Sequence, residues 1–209
     1  MRMRDLAALG RQALAGLRAL LVLTLVLGIG YPLLVTALAQ TMPWRAAGSL
    51  VDGHGDSVTV PEQAAGSLLL GQRVTDPGLF QPRPSAAGRG YDALASGGSN
   101  LGPESRELVG DIEDRRAEVA EREGVEPGLV PPDAVTASAS GLDPHISPAY
   151  ADLQVPRVAA AAGVSEQRVR ELVAAHTDGR GLGVLGEPRV NVLELNLAVR
   201  ALETGRIGT

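Results

Sequence analysis

Residues 138–148 (SASGLDPHISP) contain the side-chain types that hydrolases and metal enzymes use. Ser140, Asp143 and His145 would supply a nucleophile, an orienting carboxylate and a general base. Catalytic triads usually assemble from distant segments, whereas these three residues lie close together on one proline-containing turn. The chain also lacks the GxSxG sequence that exposes the nucleophile in many hydrolases. The pattern therefore weighs against a catalytic residue here.

A metal site would need a ligand from outside this segment. Asp143 and His145 together with His176 offer one oxygen and two nitrogen ligands, but their spacing matches no common zinc arrangement. The chain has three histidines and no cysteine, which excludes thiolate ligands and disulfides. A rigid turn is favoured, because Asp143-Pro144 initiates turns and Ser147 suits a helix N-cap. The sequence therefore assigns no catalytic, metal-binding or nucleotide-binding residue.

A second candidate is the glycine-rich loop SGGSN at residues 96–100. Backbone N–H groups ahead of a helix can hold an anion, and the loop loosely resembles the SGGQ signature of ABC ATPases. The chain contains neither a Walker A sequence nor the lysine that would complete one. A tight turn whose glycines let the backbone approach another surface closely is therefore favoured.

Residues 159–177 have the spacing of a helix-turn-helix, with an alanine-rich helix, a short turn and an amphipathic helix. Such a module would bind DNA through a basic face. The chain after residue 39, however, carries 15 arginines against 23 acidic residues, a net charge of −8. This charge disfavours a nucleic acid partner and leaves a DNA-binding regulator as an alternative only.

The elements that position these candidates indicate an α+β fold. Residues 45–102 are rich in glycine, proline and serine, with short apolar runs that suit a few strands or turns. Residues 103–123 combine a narrow apolar stripe with twelve charged side chains, which predicts a surface helix. Pro103 is favourable at its start, and Gly124 is favourable at its end.

Two further helices are predicted from their N-caps. Ser147 precedes a helix in which Pro156 either causes a kink or begins a new helix, and Ser165 precedes a helix that ends near His176. Residues 190–202 predict a third helix, with a short strand leading into it as the alternative. One mixed α/β domain accounts for these elements.

A membrane segment precedes the domain. No charged residue lies between Arg18 and Arg45, and residues 19–39 as a helix would rise about 31 Å, the thickness of a bilayer core. Four arginines and one acid precede this segment, which predicts residues 1–18 in the cytoplasm and residues 40–209 outside. The sequence thus predicts a single N-terminal transmembrane helix followed by an extracytoplasmic domain.

Two other interpretations of the apolar segment are open. Ala37-Leu38-Ala39 fits a signal peptidase site, and cleavage there would release a secreted binding or hydrolytic domain, but the apolar run is long for a signal peptide. Residues 28–32 (GIGYP) are similar to a potassium-channel filter without its closing glycine. A helix kink and a helix-packing site are favoured, formed by Gly28, Gly30, Tyr31 and Pro32.

Short motifs recur from the membrane segment almost to the C-terminus, and their combination is far more specific than any one of them. They are Tyr31-Pro32, AGSL at 47–50, Gly66-Ser67 with Gly71-Gln72, Phe80 with RPSA at 83–86, SGGSNLGP at 96–103, TASASGLDPHISP at 136–148, QVPRVA at 154–159, HTDGR at 176–180 and LGEPRVNVLELN at 185–196. Together they resemble the C subunit of the Kdp potassium-transporting ATPase. A modest departure is the stretch Gly71-Gln72-Arg73-Val74, where that family commonly has an aromatic residue.

The resemblance implies a non-catalytic accessory subunit of an ATP-driven, high-affinity potassium uptake complex in the bacterial inner membrane. Its partners would be a channel-like potassium-binding subunit, a P-type ATPase subunit and a small single-span subunit, which would handle ATP and potassium without a cofactor on this chain. The family is described as needed for assembly and as a catalytic chaperone that raises the ATP affinity of the ATPase subunit. Ten residues are expected to contact partners: Arg83, Ser85, Gly97, Gly98, Ser99, Asn100, Asp143, His145, Gln154 and Arg157.

Overall fold

The computed structural model describes residues 3–205, with the side chains of residues 3–8 excepted. The chain divides between Ala47 and Gly48 into two compact units. The first unit is helical and the second mixes helices with short strands, which confirms the predicted fold class of one apolar N-terminal helix followed by an α+β domain.

The apolar helix is longer than the predicted membrane segment. It consists of α1 (Met3–Leu25), a π-helical turn (Val26–Gly30) and α2 (Tyr31–Ala39), and a short α3 (Pro43–Ala46) follows. The stretch Leu9–Ala39 is long and apolar enough to span a membrane. The boundaries 19–39 lie within it and stay a prediction.

The irregularity expected at Pro32 takes the form of the π-helical turn in the residues before it. The backbone N–H of Tyr31 donates to the carbonyl of Val26, five residues back instead of four. The Thr36 hydroxyl donates to the Pro32 carbonyl at 2.8 Å. A wider turn of this kind is one recognised cause of helix bending, alongside proline itself.

Within residues 48–205, the second unit contains two three-stranded antiparallel sheets and four α-helices. In the first sheet the strand order is β2-β1-β3, and in the second it is β4-β6-β5. The elements are β1 (Leu50–Val51), β2 (Ser57–Val58), β3 (Gly66–Ser67), α4 (Arg106–Glu123), β4 (His145–Ile146), α5 (Pro148–Ala162), α6 (Glu166–Ala175), β5 (Thr177–Asp178), β6 (Arg189–Asn191) and α7 (Val192–Glu203).

The helix ends follow local side-chain chemistry. Ser147 and Ser165 accept hydrogen bonds from the N–H groups of Tyr150 and Arg168, so both predicted N-caps are confirmed. Residues 189–203 contain both of the alternatives left open, a short strand and then a helix, and Asn191 caps that helix.

Two details of the predicted helices differ from the structure. Helix α4 begins at Arg106 rather than Pro103, because Ser105 is its N-cap and accepts from the N–H of Leu108. Pro156 lies inside α5, which continues on both sides of it as one helix. Gly124 ends α4 at φ +67°, as predicted.

The core of the second unit lies between α4, α5, α6 and α7. Most of its buried side chains are valine, alanine and leucine, while Phe80 and Tyr150 are its largest buried members. Asn196, on α7, accepts from the Phe80 N–H at 2.8 Å and donates to the Phe80 carbonyl at 2.9 Å. Because the side-chain amide of Asn196 bonds to both the N–H and the carbonyl of Phe80, the irregular segment around Phe80 can pass through the interior without unpaired backbone groups.

Candidate functional site

Three loops that are distant in sequence meet around residues 138–145. The N–H of Gly97 and the hydroxyl of Ser96 donate to the carbonyl of Ser140 at 2.9 and 3.0 Å, and the hydroxyl of Ser85 donates to the carbonyl of Gly141. The structure thus brings six of the ten predicted contact residues into one group, which we call the loop cluster: Arg83, Ser85, Gly97, Gly98, Asp143 and His145.

Glycines allow the loops of this cluster to approach closely. A Cβ atom on Gly98 would lie 3.0 Å from the carbonyl oxygen of Ala139. Gly141 has φ +66°, and a Cβ atom there would lie 2.6 Å from the carbonyl oxygen of Gly97. The close approach expected of the SGGSN loop is therefore made to another loop of the same domain.

Asp143 is the charged centre of the loop cluster. Its Oδ2 pairs with Nη1 of Arg83 at 3.1 Å, and its Oδ1 accepts from the backbone N–H of His145 at 3.0 Å. The Nδ1 atom of His145 lies 3.2 Å from the same Oδ1. Burial raises the pKa of Asp143, but hydrogen bonds from His145 and the positive charge of Arg83 outweigh burial and leave the pKa below its ordinary value of 3.8.

This shift predicts a pH dependence of stability. Because the pKa of Asp143 is lower in the folded state, its contribution is complete above about pH 4 and is lost as the pH falls through the folded pKa. Asp143→Asn should lower the free energy of unfolding at about pH 7 and flatten its decline below about pH 4. Urea denaturation of the full chain in detergent, followed by far-UV circular dichroism across this pH range, measures both effects.

Asp152→Asn is the matched control, because Asp152 lies on the exposed side of α5. We expect its pH profile to follow that of the wild-type chain. If the Asp143→Asn profile were also parallel to the wild-type profile, the interactions of Asp143 with Arg83 and His145 would not stabilise the domain.

The polar groups of residues 138–148 serve the turn and the helix that follows it. The hydroxyl of Ser140 accepts from the N–H of Leu142 at 3.1 Å, and both oxygens of Asp133 accept from Ser147, the N-cap of α5. His176 ends α6, with Nδ1 2.9 Å from the carbonyl oxygen of Leu172. Among the side chains of residues 9–205, no group of three or more from histidine, aspartate and glutamate is arranged to hold a metal ion. The geometry favours the rigid turn over the triad and the metal site.

Gln154 and Arg157 belong to a second group of polar residues, inside the domain. Gln154 is fully buried: its Oε1 accepts from the N–H of Gln81 at 2.7 Å and from Nη2 of Arg157 at 2.8 Å. Arg157 also donates to the carbonyls of Pro77 and Leu79. Gln154 is therefore not on the surface of this chain, and its amide instead binds both the N–H and the carbonyl of Gln81.

Glu123 is the residue of this second group that sequence reasoning missed. Its side chain is 1% exposed and accepts from Nε of Arg122 at 2.8 Å and from Nε of Arg157 at 2.9 Å. The spacing of α4 predicts a pair between Glu118 and Arg122, but Arg122 bonds to Glu123 and to the Tyr150 hydroxyl. The available signal was the position of Glu123, which directly precedes the helix-ending glycine.

The remaining predicted contact residues are exposed. Ser99 and Asn100 lie on the surface of the loop that leads to α4, and Asn100 has φ +54°, a conformation that asparagine tolerates better than most residues.

Gly28 and Gly30, two of the residues predicted to form a helix-packing site, lie in the apolar helix of the first unit. A Cβ atom on either would make only ordinary contacts within the helix, 3.7 Å from Thr24 and 3.6 Å from the carbonyl oxygen of Leu25.

Residues 3–205 thus contain one apolar helix that could span a membrane, followed by one α+β domain whose polar groups hold its own loops together. Residues 13–201 match the family model described as K+-transporting ATPase, c chain. The chain belongs to this family of potassium-transporting ATPase subunits.

Curated relatives share this assignment across nearly their whole length. A protein from Kineococcus radiotolerans called potassium-transporting ATPase KdpC subunit is 58% identical over 91% of this chain and 94% of its own. Proteins of the same name are 53% identical in Gemmatimonas aurantiaca, over 89% of this chain and 92% of theirs, and 51% identical in Myxococcus xanthus, over 89% and 86%.

Proposed function

We propose that this chain is the non-catalytic accessory subunit of an ATP-driven potassium uptake complex, needed for its assembly. The observation that carries the proposal is the family match, which extends from the apolar helix to α7 and therefore includes both units of the chain. Its partners are a channel-like potassium-binding subunit, a P-type ATPase subunit and a small single-span subunit. ATP and potassium are handled by those subunits, so this chain carries no cofactor and no nucleic acid.

The loop cluster is a suitable docking surface in this proposal. The side chains of Arg83, Asp143 and His145 are partly exposed, and each is held by contacts within the domain. Side chains fixed in this way lose little conformational entropy when a partner binds. Ser99 and Asn100 extend the same loop region with exposed polar groups.

The proposal places the chain in the inner membrane with the N-terminus in the cytoplasm and the domain outside. The arginine bias before the apolar helix supports this orientation. Because ATP is cytoplasmic, any effect of this chain on the ATP affinity of the ATPase subunit passes through the membrane helices as a coupling free energy. Gly28 and Gly30, which lie within the π-helical turn, are the sites where a neighbouring helix packs.

Purification of the tagged full chain in mild detergent from potassium-limited cells tests this function. We expect three further membrane proteins to accompany the chain, and their absence would overturn the assignment as a subunit. Protease added to intact spheroplasts of the same cells should digest the domain; protection until lysis would overturn the orientation.

The same purification tests the helix-packing site. Gly28→Leu combined with Gly30→Leu should reduce recovery of the partner proteins about tenfold, because large side chains block the close approach of a neighbouring helix. The helix itself accommodates a side chain at both positions, so a loss reports on packing between subunits. Gly16→Leu, in α1 and with no atom within 4 Å of its added Cβ, is the control. If the wild-type chain, the Gly28/Gly30 double variant and the Gly16→Leu control recovered the partner proteins equally, the two glycines would be excluded as a contact between subunits.

A further inference from the structure

The connection between β5 and β6 forms a projecting hairpin. Thr177 pairs with Val190 and Asp178 with Arg189, and Gly181 and Leu185 exchange two backbone hydrogen bonds of 2.8 Å further along the connection. Every residue from Asp178 to Arg189 is exposed, so the hairpin is open to solvent along its length. We call residues 181–186 (GLGVLG) the hairpin tip.

The hairpin tip exposes three large aliphatic side chains on one short turn. Leu182 is 92% exposed, Val184 is 74% exposed and Leu185 is 63% exposed. Their clustering distinguishes them from the single exposed apolar residues that are normal on protein surfaces.

The backbone conformation at position 182 is unfavourable for leucine. Leu182 has φ +51°, a left-handed conformation in which glycine or asparagine is preferred, and Gly183 next to it has φ +78°. A leucine here gains nothing from burial and loses conformational energy. Residues that break a local rule without benefit to the isolated fold tend to serve a function.

The charges beside the tip are neutralised within the hairpin. Arg180 pairs with Glu187 at 2.6 Å, and Arg189 lies 3.7 Å from Asp178. The tip itself has no charged or aromatic side chain. Segments that insert into anionic bilayers rely on unpaired basic residues and on interfacial tryptophan or tyrosine. An uncharged tip with a neutral base instead complements an uncharged apolar cleft on a protein.

We propose that the hairpin tip inserts Leu182, Val184 and Leu185 into an apolar cleft on an adjacent subunit of the same complex. The inference rests on the proposed function, because it requires a neighbouring subunit. Insertion buries side chains that are exposed in the isolated chain. For Leu182, the free energy gained by this burial offsets the cost of its left-handed backbone conformation.

The first test is recovery of the complex with a Leu182→Ser, Val184→Ser, Leu185→Ser variant of the full chain. We expect recovery of partner proteins to fall about tenfold or more, because three aliphatic contacts are lost. Leu129→Ser is the matched control, since Leu129 is 65% exposed on a different loop. If the wild-type chain recovers the partner proteins and the triple variant recovers as many, or if Leu129→Ser loses as many as the triple variant does, the insertion of the tip is overturned and the proposed function stands. If the wild-type chain itself recovers no partner proteins, the proposed function is overturned.

The second test identifies what the tip touches. A photoreactive benzoylphenylalanine at position 184, irradiated in intact membranes, should form an adduct with another membrane protein of the complex. The same group at position 129 should not form that adduct. An adduct with lipid alone or with a second copy of this chain, or no adduct at all, would overturn the proposal.

Discussion

Replacing Gly141 by alanine is expected to lower the free energy of unfolding by about 4 kcal/mol, an unusually large effect for one methyl group. Two costs combine at this position. The backbone has φ +66°, which an L side chain rarely adopts, and the added Cβ would lie within 2.8 Å of the Gly97 carbonyl oxygen, the Ala87 backbone nitrogen and the Ala87 Cβ. Two of these atoms are backbone, so relief requires the loops themselves to move apart.

Gly163→Ala separates the two costs. Gly163 also has a left-handed conformation, with φ +67° at the end of α5, but an added Cβ there has no atom within 4 Å. We expect this control to lose only about 1 kcal/mol, which is the backbone cost alone. Urea denaturation of both variants as full chains in detergent measures the difference. Equal losses would mean that the loop cluster relaxes without cost.

The predictions that succeeded depend on neighbouring residues. The oxygen of an N-cap side chain lies within three residues of the N–H it accepts from, so Ser147 and Ser165 could be identified from spacing alone. Gly124 ends α4 for an equally local reason, its left-handed backbone. The 2.9 Å ion pair between Asp111 and Arg115 is equally local, because helix periodicity brings residues four apart together.

The features that sequence analysis missed depend on residues far apart in the chain. Asn196 binds the backbone of Phe80 across 116 positions, and no periodic pattern indicates such a pair. Aromatic residues are only 2% of the chain, yet Phe80 and Tyr150 are the largest buried residues of the interior. Composition gives the number of aromatic residues and does not give their position.

The loop cluster also combines features that depend on neighbouring residues with features that depend on residues far apart in the chain. Residue types and turn chemistry identified Asp143 and His145 as a turn rather than a reaction centre. That Arg83 would neutralise Asp143 depends on a contact across 60 positions, and the burial of Gln154 depends on how α5 packs. Both follow from tertiary packing, which the sequence does not specify residue by residue.

The second large effect is expected at Glu123. Glu123→Ala should lower the free energy of unfolding by about 3 kcal/mol, because it removes a buried carboxylate from between two guanidinium groups. Arg122 and Arg157 would then face each other without the acceptor that binds the Nε atom of each. Arg157 also donates to the backbone carbonyls of Pro77 and Leu79, so its displacement would loosen a segment adjoining the buried Phe80.

Two further variants show whether the charge or the packing of Glu123 matters. Glu121→Ala removes an exposed carboxylate from the same turn of α4 and should change stability by less than about 0.5 kcal/mol. Glu123→Gln keeps the volume and one oxygen acceptor but loses the charge, so its stability should lie between that of the alanine variant and that of the wild-type chain. Denaturant midpoints of the full-length variants in detergent give this order. If Glu123→Ala were no more destabilising than Glu121→Ala, water would be solvating both arginines and the buried pair would contribute nothing to the fold.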